Sequence, residues 1–192
     1  EKDIDKKLWQ KRKVFALLSR EINDLHGKTL GIIGKGSIGM KVGRIAKAFG
    51  MNINYFSVRN YKKTQFLKFL SSLDYLSVHC PLNEKTKDLI TIKELKIMKK
   101  NMILINTARG GIVNENDLTK ALKQKIIAGA GIDVTTSEPP KKSHAYYSIL
   151  NEANFIWTPH TAWASNETLQ EAINQLIKNI NSFYKGRKRN IV

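Results

Sequence analysis

The 192 residues are enough for one hydrophobic core, and an apolar fraction of 42% excludes a long disordered chain. The single cysteine, Cys80, excludes an intramolecular disulfide and weakly favours a reducing compartment, and no apolar run is long enough to cross a bilayer. The formal net charge of +17 has two readings: a field for nucleic acid or another acidic partner, or a lysine-rich solvated surface that also draws in a phosphate-bearing cofactor and an anionic substrate. The lysines are spread along the chain, with one dense cluster at Lys185, Arg187, Lys188 and Arg189, which favours the second reading. The charged start, Glu1 to Lys7, lacks the apolar stretch of a signal peptide, so the expected location is the cytoplasm.

In chain order, residues 1–30 fit no regular pattern and read as an arm or linker. Residues 29–33 form an apolar strand, and 37–49 a helix with Ile38, Val42, Ile45, Ala46 and Phe49 on one face. Strands follow at 52–56 and 75–78, separated by a helix over 64–71. Thr91 begins a short helix with Ile92, Leu95 and Met98 on one side. A fourth strand spans 102–105, and Asn114 caps a helix containing Leu118, Ala121 and Leu122. Strands at 126–132 and 155–157 come next, and Ser165 caps a long helix with Leu169, Ile173, Leu176, Ile177 and Ile180 at helical spacing. Alternating strands and helices, with nearly continuous apolar strands, predict a doubly wound parallel sheet of Rossmann type in three α/β/α layers. The expected strand order is 3-2-1-4-5-6.

Gly34-Lys35-Gly36-Ser37-Ile38-Gly39 matches G-x-G-x-x-G between a strand and a helix, the context that dinucleotide binding requires. Gly34 permits the tight turn, Gly36 lets the backbone approach a pyrophosphate, and Gly39 lets the helix pack on the strand. Ser37 and Ile38 stand at the helix N-terminus, where free N–H groups favour phosphate. An acidic residue at the end of the second strand would read the ribose hydroxyls of NAD. Ser57 stands there instead, with Arg59 two residues on. That pair tolerates or binds the 2′-phosphate of NADP, whereas an exposed Arg59 with Ser57 still serves NAD. The cofactor is NAD or NADP.

Three further segments sit at carboxyl ends of expected strands, where open α/β sheets bind ligands. They are Asn106-Thr107-Ala108-Arg109-Gly110, Gly131-Ile132-Asp133-Val134 leading to Glu138-Pro139, and Thr158-Pro159-His160. Any one of Arg109, Glu138 and His160 could be an ordinary surface residue; their shared edge argues otherwise.

With His79-Cys80-Pro81-Leu82 and the glycine loop, this ordered set resembles the NAD-binding domain of the D-isomer-specific 2-hydroxyacid dehydrogenases, from about Leu25 to Trp163. The resemblance implies hydride transfer between NAD(P) and a D-2-hydroxyacid or 2-oxoacid. It implies His160 as general acid and base, Glu138 as the group that orients its imidazole, and Arg109 as the site of the substrate carboxylate. It places Asp133 at the nicotinamide carboxamide, Thr86 near the cofactor, and Cys80, Pro81, Thr107 and Ala108 along the cleft through their backbone. No metal is implied. Family members are usually dimers through this domain, so a homodimer is expected.

The resemblance divides the chain into an arm remnant at 1–24, the dinucleotide-binding domain at 25–164, and a helix and tail at 165–192 that return toward a substrate domain. Most of that substrate domain has no counterpart in this sequence, so the expectation is cofactor binding with poor turnover. His144-Ala145-Tyr146 departs from the family's usual His-Pro-Leu. Two rivals remain: an NAD(H)-responsive corepressor-like regulator of the same fold, and a basic nucleic-acid-binding module.

Overall fold

The computed structural model of the chain describes residues 4, 7–18, 22–152 and 154–191. A short helix, α1 (Leu8–Arg12), lies in the N-terminal stretch and has no buried residue. The strands are β1 (Thr29–Ile33), β2 (Asn52–Phe56), β3 (Tyr75–Val78), β4 (Ile103–Asn106), β5 (Gly129–Ile132) and β6 (Phe155–Trp157). Between and after them run α2 (Ser37–Ala48), α3 (Lys63–Ser71), α4 (Ile92–Leu95), α5 (Glu115–Lys123) and α6 (Asn166–Tyr184). Short 3-10 turns occupy Val58–Asn60 and Ala145–Ile149.

All five pairings are parallel, so every crossover must pass over a face of the sheet, and both faces become covered. β1 shows the consequence. Leu30 and Ile32 pack with Ala46 and Met51 on one side, and Ile33 joins Leu76, Val78, Leu104 and Ile132 on the other. A strand buried on both faces has no polar alternation, which is why its sequence is an unbroken apolar run.

The strand order is 2-1-3-4-5-6, not the expected 3-2-1-4-5-6. The reason lies in β2. Its burial alternates along Asn-Ile-Asn-Tyr-Phe, with Asn52 and Asn54 exposed, as suits an edge strand. β3 is buried along Leu76, Ser77 and Val78 and takes the place beside β1. Asp74 secures that placement. Its carboxylate accepts from the Thr29 N–H at 2.9 Å and from Lys99 Nζ at 2.8 Å. The chain direction therefore switches between β1 and β3, and the crevice at their carboxyl ends is the ligand position in such sheets.

α2 packs through a different face from the one its large residues suggest. Ile38, Ile45 and Phe49 are exposed, whereas Gly39, Gly43 and Ala46 are buried. A Cβ on Gly43 would collide with the Tyr55 hydroxyl and lie 3.2 Å from Ile32 Cδ1, so only glycine allows the helix this close to the sheet. β5 is also shorter than its apolar run. Residues 126–128 form a bend after Lys125, whose φ of 54° lies in the left-handed region, and Ile126 N–H returns to Ala121 O at 2.9 Å. Ser165 caps α6 as expected, its Oγ accepting from Thr168 N–H at 3.1 Å, but no residue of α6 is buried. No helix among the described residues is long and apolar enough to cross a membrane.

Gly43→Leu should overpack the α2–sheet contact and cost about 1–3 kcal/mol in chemical denaturation. An unchanged unfolding midpoint would mean that the helix packs by another face.

Candidate active site

The glycine loop runs from β1 into α2. Gly34 has φ 103°, and a Cβ there would sit 2.5 Å from His79 O, so this residue lets the β1 and β3 ends meet. Cys80 is buried in that contact, and burial pushes its thiol up to about 11. Its sulfur is therefore a neutral thiol rather than a thiolate near neutral pH. Gly36 is the N-cap of α2 and makes no side-chain cap bond. A Cβ on Gly36 would meet nothing within 4 Å. Open space thus faces uncapped helix amides at Ser37 and Ile38, and this fits the pyrophosphate of a dinucleotide.

At the end of β2, Arg59 lines a pocket of about 480 Å³ with Val58, Asn83, Glu84 and Lys85. Ser57 adjoins Phe56, whose carbonyl accepts from Gly34 N–H at 3.0 Å, so the end of β2 and the glycine loop share one corner. Thr86 is fully buried. Its hydroxyl donates to Pro81 O at 2.7 Å and accepts from Asn83 N–H at 2.8 Å, so the side chain shapes the 81–86 turn from within.

After β4, Asn106 fixes the loop of Thr107, Ala108 and Arg109. Its amide donates to Arg109 O at 3.0 Å and its carbonyl accepts from Ala108 N–H at 3.0 Å. The Arg109 guanidinium is exposed and donates to Ala108 O at 2.6 Å. A Cβ on Gly110 would strike the Thr135 backbone, so this glycine lets the Arg109 loop lie against the loop after β5.

Glu138 and His160 come together directly: His160 Nδ1 lies 2.6 Å from Glu138 Oε2. Burial alone raises the Glu138 pKa, but the Thr135 N–H, the His160 ring and the Arg109 charge outweigh it and hold the carboxyl below its ordinary value. An ionised Glu138 requires the proton on Nδ1, which leaves Nε2 free for a reacting group.

Asp133 holds the turn that carries this imidazole. The residue is 3% exposed, and its carboxylate accepts from the Thr158 hydroxyl at 2.5 Å and from the Thr161 and Ala162 N–H groups, both at 2.9 Å. Its backbone carbonyl accepts from His160 N–H at 2.9 Å. These bonds keep His160 at φ 54°, a conformation that a non-glycine residue adopts only when its surroundings impose it. Burial raises the Asp133 pKa, but the Thr158 hydroxyl, the Ala162 and Thr161 amides and the His160 charge bring it below the ordinary value.

Asp133, Thr135, Glu138, Tyr147, Trp157 and His160 line a pocket of about 480 Å³. Sequence reasoning missed Asn106, Thr135 and Thr158 as parts of the site. Asn106 and Thr158 lie inside the quoted motifs, at strand ends where side chains take up loose backbone groups, and that position was the available signal. Nothing in the sequence marks Thr135, which acts through its backbone N–H. Among the described residues no cluster of His, Cys, Asp and Glu could hold a metal ion.

A parallel sheet with an open glycine turn at its switch point and a carboxylate-held imidazole on the same edge is the architecture of a dinucleotide-binding domain. The pattern of the D-isomer specific 2-hydroxyacid dehydrogenase NAD binding domain matches residues 2–162, and the chain belongs to that family. It is 43% identical over 188 residues to a glycerate dehydrogenase of Methylorubrum extorquens, covering 96% of this chain and 59% of the relative. It resembles the NAD-complexed D-isomer specific 2-hydroxyacid dehydrogenase of Lactobacillus delbrueckii ssp. bulgaricus with a TM-score of 0.82 and 29% identity, covering 97% of this chain and 63% of that one. An acyclic imino acid reductase solved with NADPH and D-Arg matches with a TM-score of 0.79 and 30% identity, covering 100% of this chain and 62% of that one. The chain thus spans about three fifths of the length of these relatives.

Asp133 contributes stability that is fully present above the ordinary carboxylate pKa and is lost as pH falls through its lowered folded value. Asp133→Asn should therefore cost about 1–3 kcal/mol near neutral pH, because one amide N–H then faces a donor. The gap from wild type should narrow below about pH 4. An equal gap at acidic and neutral pH, measured by denaturant titration, would refute this account.

Proposed function

We propose that this chain is the nucleotide-binding and catalytic half of an oxidoreductase that transfers a hydride between NAD or NADP and a D-2-hydroxyacid or 2-oxoacid. The observation that carries this reading is the 2.6 Å His160–Glu138 contact, on the same sheet edge as Arg109 and the open glycine loop. When bound, the nicotinamide supplies or accepts the hydride. His160 Nε2 donates a proton to the carbonyl oxygen during reduction and takes it back during oxidation. Glu138 fixes the Nδ1–H tautomer and stabilises the imidazolium. Arg109 holds the substrate carboxylate beside the carbonyl, a task suited to a fixed donor fork.

Gly34, Gly36, Ser37, Ile38 and Gly39 form the pyrophosphate site in this reading, and Ser57 and Arg59 meet the adenosine ribose. Cys80, Pro81, Thr107 and Ala108 line the cleft through their backbone. Asp133 faces the carboxamide with the lone pairs left on its oxygens, and Thr86 acts by setting the 81–86 turn. The division at residues 24 and 164 belongs to the same proposal. Self-association fits it too, since α2 turns Ile38, Ile45 and Phe49 outward. The His160 and Glu138 side chains are each 37% exposed, so water is not excluded from the pair. The 192-residue chain should therefore bind dinucleotide yet turn over slowly.

Gly36→Val should leave stability near wild type, because a Cβ there meets nothing within 4 Å, and weaken dinucleotide binding at least about tenfold. Retained affinity in a fluorescence titration would remove the pyrophosphate assignment. In a chain of the relatives' full length, His160→Ala should lower kcat by about two to four orders of magnitude while cofactor affinity survives. Near-normal turnover would defeat the proton-transfer role. Arg59→Ala should weaken NADPH binding more than NADH binding; equal losses would show that Arg59 does not read a 2′-phosphate.

A further inference from the structure

We propose that Glu115 and His144 form a positioning pair that holds the Glu138 loop and the His160 strand in mutual alignment; the proposal rests on the proton-transfer reading above. Glu115 is the first residue of α5, but its carboxylate makes no hydrogen bond within that helix. Asn114 already caps α5, its Oδ1 accepting from Asp117 N–H at 3.1 Å. The Glu115 carboxylate instead turns toward the loop after β5. One oxygen accepts from Thr136 N–H at 2.7 Å, and the other accepts from the Thr136 hydroxyl at 2.9 Å and from His144 Nε2 at 2.8 Å. Both side chains are largely buried, at 12% and 9% exposed, so these bonds are not freely exchanged for water.

The His144 tautomer follows from its neighbours. Nδ1 accepts from Tyr146 N–H at 3.3 Å, so the proton that reaches Glu115 is on Nε2. The same ring stacks on the Trp157 indole, with centroids 5.5 Å apart and planes 25° apart. The pair thereby touches two segments that must meet. On one side Thr136 follows Thr135, whose N–H donates to Glu138 Oε1 at 3.0 Å. On the other side Trp157 ends β6, three residues before His160. A buried carboxylate with all its donors in one loop, joined to a ring stacked on the next strand, sets the separation between Glu138 and His160. Small errors in that separation matter, because proton transfer depends on alignment at the ångström scale.

The test reads alignment rather than turnover, in the 192-residue chain. Wild type should show a His160 Nδ1 proton resonance well downfield of the amides, as a short N–H···O⁻ bond gives, assigned by its loss in H160Q. His144→Asn keeps an acceptor for Tyr146 N–H but drops the bond to Glu115. His144→Gln supplies a donor near the Nε2 position but has no ring to stack on Trp157. Glu115→Gln puts an amide NH2 against one of the donors that the carboxylate now receives. The downfield resonance should be lost or broadened beyond detection in E115Q, H144N and H144Q, with methyl dispersion retained. The proposal is overturned by an unchanged resonance in any of E115Q, H144N and H144Q, by absence of the resonance in wild type, or by unfolding of both E115Q and H144N. A full-length enzyme that fails to reduce 2-oxoacids would sink the functional reading and leave this resonance pattern as it stands.

Discussion

A carboxylate taken out of water must find donors, and Asp133 finds them in the Thr158 hydroxyl and the Thr161 and Ala162 amides. That requirement ties the end of β5 to the turn after β6. It is met only because the two strands pair in parallel with Ile132 opposite Trp157, so that both chains leave the sheet at the same edge. His160 is then placed by backbone rather than by its own side chain. Its left-handed φ and its N–H bond to Asp133 O follow from the turn, and its ring meets Glu138 as a result. The carboxyl edge is therefore a small anionic framework on a chain of net charge +17. Asp133 and Glu138 both stay ionised below their ordinary pKa, because the donors around them offset the cost of burial.

The second constraint is close approach. Glycines let two pairs of loops touch at this edge and one helix lie close on the sheet. Gly34 meets the carbonyl of His79, Gly110 meets the backbone after Thr135, and Gly43 brings α2 down onto Tyr55 and Ile32. Packing α2 by its small residues has a further consequence. The large apolar residues that would normally seat a helix are left facing outward, and the same is true along α6.

Much of the site was legible because its residues cluster at strand ends. The G-x-G-x-x-G spacing, Arg109 after β4, Glu138 after β5 and His160 after β6 each occupy a position where an open parallel sheet presents side chains to a ligand. Asn106, Thr135 and Thr158 were less legible. They act through hydrogen bonds to backbone or to another side chain, and such bonds have no spacing of their own. Glu115 and His144 are 29 residues apart, and no periodicity links them. The strand order differs from the 3-2-1-4-5-6 order of the general dinucleotide-binding pattern. Asn52 and Asn54 already marked β2 as an edge, and an edge strand cannot lie between two others.

By itself the sequence determined the alternation of strands and helices, the glycine turn, the caps at Asn114 and Ser165, and which side chains stand just past the strand ends. These depend on residues near one another in the chain or on a fixed local geometry. Tertiary structure decided which strand stands beside β1, which face of α2 is buried, and how Asp133, Glu138 and His160 are linked. Those outcomes are set by close contact between segments far apart in sequence, where one missing Cβ or one buried carboxylate in need of donors selects the packing.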